Sequence, residues 1–314
     1  MPNESDYYCL TSDNPFIKNS KAKEGFFFSN FEKNIIYSIS EYETRLNTWP
    51  SFTPFYNESP KSTDKNEYLD KVSEISNLIK AGEYKKVVLS KVKLIDKKDD
   101  FDLEKTFQSL CSTYPNTFVY CISSEETGTW IGASPELLLK KEKDEYRTVS
   151  LAGTKVENIA WTNKEIQEQQ IVTDYVSNII KPYSNSLSIS KPYDLKAGKV
   201  IHLKSDITFS LKEDDKLWDM LEKLNPTPAV CGIPMQKAKQ LITEIENHKR
   251  ELYTGFIGPT GINNHNSLFV NLRNMKVCKK QLALFLGGGI MGDSNPEDEW
   301  EETENKATTL LSTL

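Results

Sequence analysis

Two lines of carboxylates stand where they could do chemistry. Across 164–181, Val172, Tyr175, Val176 and Ile179 form an apolar stripe at helical spacing, and Glu168, four residues before Val172, extends it. A carboxylate on a packing face is costly unless paired or metal-bound. A first-turn glutamate that suits the helix dipole is the plain alternative. Near the C-terminus Trp300, Thr303, Ala307, Leu310, Leu311 and Leu314 make a packing face, and Glu299, Glu302 and Lys306 share one edge of it. Two carboxylates and an ammonium in line could hold a hard cation beside an anion, or form an ordinary solvated first turn. In the run KKVVLSKVKLI, Lys85, Lys91 and Lys93 have one parity and are expected to face water. Lys86 shares the other parity with Val88, Ser90, Val92 and Leu94. A lysine on that more apolar face can act as a base once desolvated, or snorkel to solvent. Gly287, Gly288 and Gly289 let an anion approach the backbone, but form neither a Walker loop nor a GxGxxG turn. Only four of the 39 basic residues are arginines: Arg45, Arg147, Arg250 and Arg273. Each is a candidate for planar grip on a carboxylate or phosphate.

These residues need elements to position them. After a polar loop at 57–66, a helix is expected from the spacing of Tyr68, Val72, Ile75 and Leu78. A strand over 85–95, a helix near 102–112, a strand at 117–123 and turn-broken strands over 128–151 follow. The helix 164–181 has Thr162 or Asn163 as candidate cap. Then come a strand over 199–211, helices at 214–223 and 235–247, and strongly alternating strands. A last helix opens at Ser294-Asn295-Pro296. The pattern predicts an α+β fold, antiparallel sheets backed by helices. We read 1–66 as a short N-terminal region of the same fold and 67–314 as the catalytic domain.

Composition narrows the classes. The 314 residues carry a formal charge of −6 with no basic cluster, a poor basis for binding nucleic acid. No apolar run reaches membrane-helix length, and the N-terminus lacks signal-peptide character. A cytoplasmic protein is expected, and a monomer. Five scattered cysteines without a CxxC pair speak against a disulfide framework or zinc site. A three-histidine metal site or a Ser-His-Asp triad would draw on nearly all of His202, His248 and His265.

In order, KVVLS (86–90), GASPELLL (132–139), SLAGT (150–154), EIQEQQIV (165–172), HL-S (202–205), NPTPAVCGIP (225–234), RELYTGFIG (250–258), FVNLR (269–273), GGGI (287–290) and NPEDEWEETENK (295–306) resemble the chorismate-utilising family over roughly 70–314. That family includes isochorismate synthases, salicylate synthases and the ammonia-using anthranilate and aminodeoxychorismate synthases. The resemblance implies one large domain of two packed antiparallel β-sheets with helices outside, binding Mg²⁺ and chorismate. Glu168 and Glu302 resemble the metal ligands, with Glu299 acting through water. Arg273, Tyr253, Lys306 and the backbone at Gly287 and Gly153–Thr154 resemble the holders of the second carboxylate, and Ala229 lies in the substrate-lining PTPA segment. Lys86 resembles the base of the water-adding members, Glu136 the general acid and His202 an active-site histidine. Ala152 stands where aminodeoxychorismate synthases carry a lysine. Together these imply an isochorismate synthase without a glutaminase partner, with salicylate synthase as the alternative and an ammonia-using component further off. Asn225 and Gln169 stand where the family usually has histidines. The region before Lys86 is shorter than in many relatives, which puts extra N-terminal strands in doubt and leaves no room for a fused glutaminase.

Overall fold

Alternating side chains give each long strand two faces that need cover, and here one sheet lies on another. The computed structural model describes residues 1–12, 17–18, 22, 24–32, 35–39, 41–156, 160–197 and 200–314. Among these, a six-stranded antiparallel sheet contains Lys86–Asp96, Phe118–Ser124, Gly128–Ser134, Asn274–Val277 and Gln281–Ile290, with the short Gly232–Ile233 at its edge. A ten-stranded sheet runs through Glu145–Val156, Val200–Leu211, Leu137–Glu142, Ser267–Val270 and Phe256–Thr260. Between the sheets, Phe28, Ile257 and Phe269 of one meet Val92, Phe118, Trp130 and Phe285 of the other. The Phe118 and Phe269 rings stack at 4.7 Å.

The six described helices cover the outer faces: α1 (Lys65–Lys80), α2 (Leu103–Thr113), α3 (Asn163–Ile180), α4 (Leu217–Leu224), α5 (Met235–Ile245) and α6 (Pro296–Leu311). Val176 and Ile180 of α3 pack with Trp218 and Leu221 of α4 on the large sheet. Tyr68, Val72 and Ile75 of α1 and Leu241 of α5 cover Val87 and Leu89. Helix starts follow their caps. Asp64 accepts from the Asn66 and Glu67 N–H groups, and Asn295 from those of Glu297 and Asp298 with Pro296 at the first position. At α3, Thr162 N–H donates to the Glu165 carboxylate at 2.9 Å, one half of a capping box.

Two expectations are corrected. Lys91 does not face water. It is 1% exposed, its ammonium 2.7 Å from Glu304 and 3.0 Å from the centre of the Trp300 ring, because α6 covers that face of the strand. Leu314, expected on the packing face of the last helix, is exposed beyond the end of α6. The N-terminal strands that the short leading region put in doubt are present: Gly25–Ser29 pairs with both Phe256–Thr260 and Ile36–Ile39.

Candidate active site

Two short direct crossings from one sheet to the other lie side by side. Pro135 and Glu136 join Gly128–Ser134 of the small sheet to Leu137–Glu142 of the large one, and Asn271–Arg273 makes the reverse crossing. The Val270 N–H donates to the Glu136 carbonyl at 2.9 Å and the Ala133 N–H to the Arg273 carbonyl at 3.0 Å, which ties the crossings together. Glu136 is therefore held between the sheets. Desolvation pushes its carboxyl up to about 7, and the Lys86 charge pulls it partly back. A carboxyl at that value can hold a proton at neutral pH and still give it up.

Lys86 opens its strand, and its side chain reaches diagonally over Gly289, which pairs with Val88 on the neighbouring strand. A β-carbon at Gly289 would stand 2.8 Å from Lys86 Cε, so the glycine makes room for the lysine stem. Gly287, on the same face, does so for Tyr253, whose hydroxyl would lie 2.7 Å from an added β-carbon. Burial pushes the Tyr253 hydroxyl up to about 12, against the pull of Arg250 and Arg273, which leaves it a hydrogen-bond donor at neutral pH. Lys86 also lines a cleft of about 330 Å³ with Leu151, Ala152, Glu168, Ala229 and Met291. The start of the small sheet, strand Glu145–Val156, α3 and the PTPA loop thus meet around one space.

The last helix brings its own groups to the glycine run. Lys306 Nζ donates to the Gly287 carbonyl at 2.8 Å and to Glu302 Oε1 at 2.5 Å. Arg273 Nη1 donates to the Lys306 carbonyl at 3.2 Å and to Thr309 Oγ1 at 2.9 Å, which ties the side chain to α6. Glu299 is partly buried. Its Oε1 accepts from Ser294 at 2.6 Å while its Oε2 is buried, over Gly288, without a partner among the described residues. Burial, more than the nearby Glu302, pushes this carboxyl up despite the Ser294 hydrogen bond. His202 Nδ1 lies 3.3 Å from the Gly153 carbonyl, where Gly153 sits in a bulge with φ +71° between the Ala152 and Thr154 pairs. The Thr154 side chain lies outside the described residues.

No group of three or more His, Cys, Asp or Glu side chains poised for a metal is present among the described residues. Mg²⁺ does not need one, since it keeps several waters and takes one or two carboxylates. Glu168 on the cleft, the exposed Glu302 and the orphaned Glu299 Oε2 fit that donor set in kind.

The family model for chorismate binding enzymes matches residues 16–314. The chain belongs to that family. Among its relatives, it is 30% identical over 266 residues to isochorismate synthase MenF of Bacillus subtilis (strain 168), covering 80% of this chain and 56% of the relative. It is 28% identical over 240 residues to isochorismate synthase EntC of Escherichia coli (strain K12), covering 72% and 61%. The chain thus spans about three-fifths of the length of these relatives. The structure of the menaquinone-specific isochorismate synthase MenF of Escherichia coli shares its fold, with a TM-score of 0.83 at 21% identity over 100% of this chain and 87% of that one. Anthranilate synthase component 1 of Aquifex aeolicus (strain VF5) is also similar, 25% identical over 95% of this chain and 63% of its own length.

In this chorismate binding enzyme, the two positions where histidine is usual are both buried. Gln169 donates to the Ser150 carbonyl at 3.2 Å and to Ser205 Oγ at 3.3 Å, whereas neither side-chain amide atom of Asn225 has a partner among the described residues. Sequence reasoning missed the clamp at Arg250. Its guanidinium is 1% exposed and grips both Glu246 oxygens, with further bonds to the Val230 carbonyl at 2.8 Å and the Val88 carbonyl at 2.7 Å. That joins the PTPA loop to the strand of Lys86, so this scarce arginine holds the protein rather than a ligand. The signal available was Glu246, an opposite charge four residues before Arg250. His248, its side chain 1% exposed, lies 2.9 Å from Ser90 Oγ and belongs to the same buried junction.

Proposed function

We propose that the chain converts chorismate to isochorismate, water adding at ring C2 as the C4 hydroxyl leaves. The observation that carries this reading is Lys86 on the cleft wall with Glu136, held between the sheets with its carboxyl at about 7, within reach of the Lys86 charge. A lysine and a proton-bearing carboxyl within electrostatic reach supply a base for water and an acid for the leaving hydroxyl. Lys86 Nζ takes the proton of the attacking water, and Glu136 gives its proton to the departing C4 oxygen. The sum of atoms is unchanged, so the reaction is an isomerisation. Ala152 on the cleft wall offers no amine to attack the ring, which favours water over a covalent adduct.

Glu168 and Glu302, with Glu299 through water, are the residues that would hold Mg²⁺, whose charge would anchor the ring carboxylate and draw electron density along the diene. Tyr253 and Lys306, side by side at Gly287, would hold the second carboxylate, and the engaged Arg273 would support them from α6. The enzyme so read needs no glutaminase, because ammonia takes no part.

Incubation with chorismate and Mg²⁺, followed by separation of products, tests the reading. Isochorismate alone is expected, and EDTA is expected to stop it. Salicylate with pyruvate would move the chain to the salicylate synthases, and an aminated ring to the ammonia-using branch.

A further inference from the structure

Among the described residues, Tyr68 and Glu299 present two buried polar atoms that lack a partner, the Tyr68 hydroxyl and Glu299 Oε2. They converge. A β-carbon placed on Gly288 would lie 3.0 Å from Glu299 Oε2 and 3.5 Å from the Tyr68 hydroxyl, so one absent side chain leaves space that both atoms border. Glu299 Oε1 is already taken by Ser294, whose hydroxyl donates at 2.6 Å. The remaining oxygen can only accept, and the phenol is a donor facing the same space. Tyr68 itself is fixed. It is 0% exposed, with the Trp300 ring edge-on at 5.6 Å and the Lys91 ammonium 5.6 Å from its centre. The aromatic ring alone would fill this place in the core, so packing does not account for the hydroxyl. A small side-chain adjustment or one bridging water closes the gap between donor and acceptor.

We propose that Tyr68 is a positioning residue that acts through Glu299: its hydroxyl donates to Oε2 and, with Ser294 on Oε1, fixes the carboxylate for the divalent cation. The proposal rests on the cation reading given above. Ligating carboxylates are themselves hydrogen-bonded, and removing such a partner commonly weakens metal affinity 10–100-fold, of order ~10-fold for one neutral donor.

The test measures Mn²⁺ affinity by calorimetry on the full chain without chorismate, for the wild type, Tyr68→Phe, Glu299→Ala and the double variant. Tyr68→Phe keeps the buried ring. It should weaken Mn²⁺ binding about 10-fold in the wild-type background and leave it unchanged once Glu299 is alanine. Glu299→Gln, which preserves shape, repeats the cycle if the alanine variant does not fold. An unchanged affinity for Tyr68→Phe overturns the proposal, as does an equal loss in both backgrounds, which would mean that the hydroxyl serves packing alone. A wild type without Mn²⁺ affinity overturns this role and the cation assignment together. Product analysis with chorismate, read separately, then shows whether the acid and base reading stands.

Discussion

Burial of Glu136, the acid of the proposed reaction, ties its protonation to stability. Its carboxyl is pushed from 4.5 up to about 7 by desolvation, with Lys86 opposing. The folded chain holds that proton more tightly than the unfolded chain. The resulting stabilisation is fully present below the unfolded value and is lost as pH rises through about 7, a difference of about 1–3 kcal/mol. Glu136→Gln should therefore raise the melting temperature at about pH 8 and change it little near pH 5, while cutting turnover at least ~10²-fold. Thermal melts at the two pH values check the first half and initial rates the second. An unchanged melting temperature at the higher pH would mean that the carboxyl is solvated. Wild-type turnover should also fall as pH climbs past about 7, as Glu136 loses the proton it donates. At this scale the sequence was informative about Lys86, because strand parity alone set it apart from its neighbouring lysines. It misled at Lys91, because parity tells which face a side chain takes and not what lies on that face; here α6 brings Glu304 and Trp300 onto it.

The glycine run of strand Gln281–Ile290 acts through what it lacks. Gly289 leaves space for the Lys86 stem and Gly287 for the Tyr253 hydroxyl. Gly289→Ala meets the far part of a flexible side chain, so it should shift Lys86 at small cost in stability. Turnover should drop at least ~10-fold with the melting temperature nearly unchanged, since displacement of a proton-transfer group costs rate. Arg250 predicts the reverse. Replacing it by methionine strands the buried Glu246 carboxylate and should destabilise by about 3–5 kcal/mol, read from urea unfolding. The helices were legible because apolar spacing and caps agree, as at Asp64 and Asn295. Strands Ser184–Ile189 and Tyr193–Ala197 were not, because their side chains are mostly polar and exposed and show no apolar alternation. Strand Gly25–Ser29 was missed for a different reason: three consecutive phenylalanines carry no period that separates strand from helix.

On the scale of the molecule, the site exists because two sheets are stacked and the chain crosses between them at Glu136 and at Arg273. The ordered motifs pointed to the residues, but the distances between them came only with the fold, since positions from Lys86 to Lys306 span most of the sequence. Resemblance put Arg273 among the holders of the second carboxylate; in the structure its Nη1 donates to the Lys306 carbonyl and to Thr309 Oγ1 of α6. The central claim is that water, activated beside Lys86, becomes the C2 hydroxyl of the product. Turnover of chorismate in water enriched in oxygen-18 tests this most directly, with the product examined by mass spectrometry and the label located by fragmentation. The account predicts one labelled oxygen at C2 of isochorismate. A product that carries no label, or one aminated at the ring when ammonium is present, would contradict it.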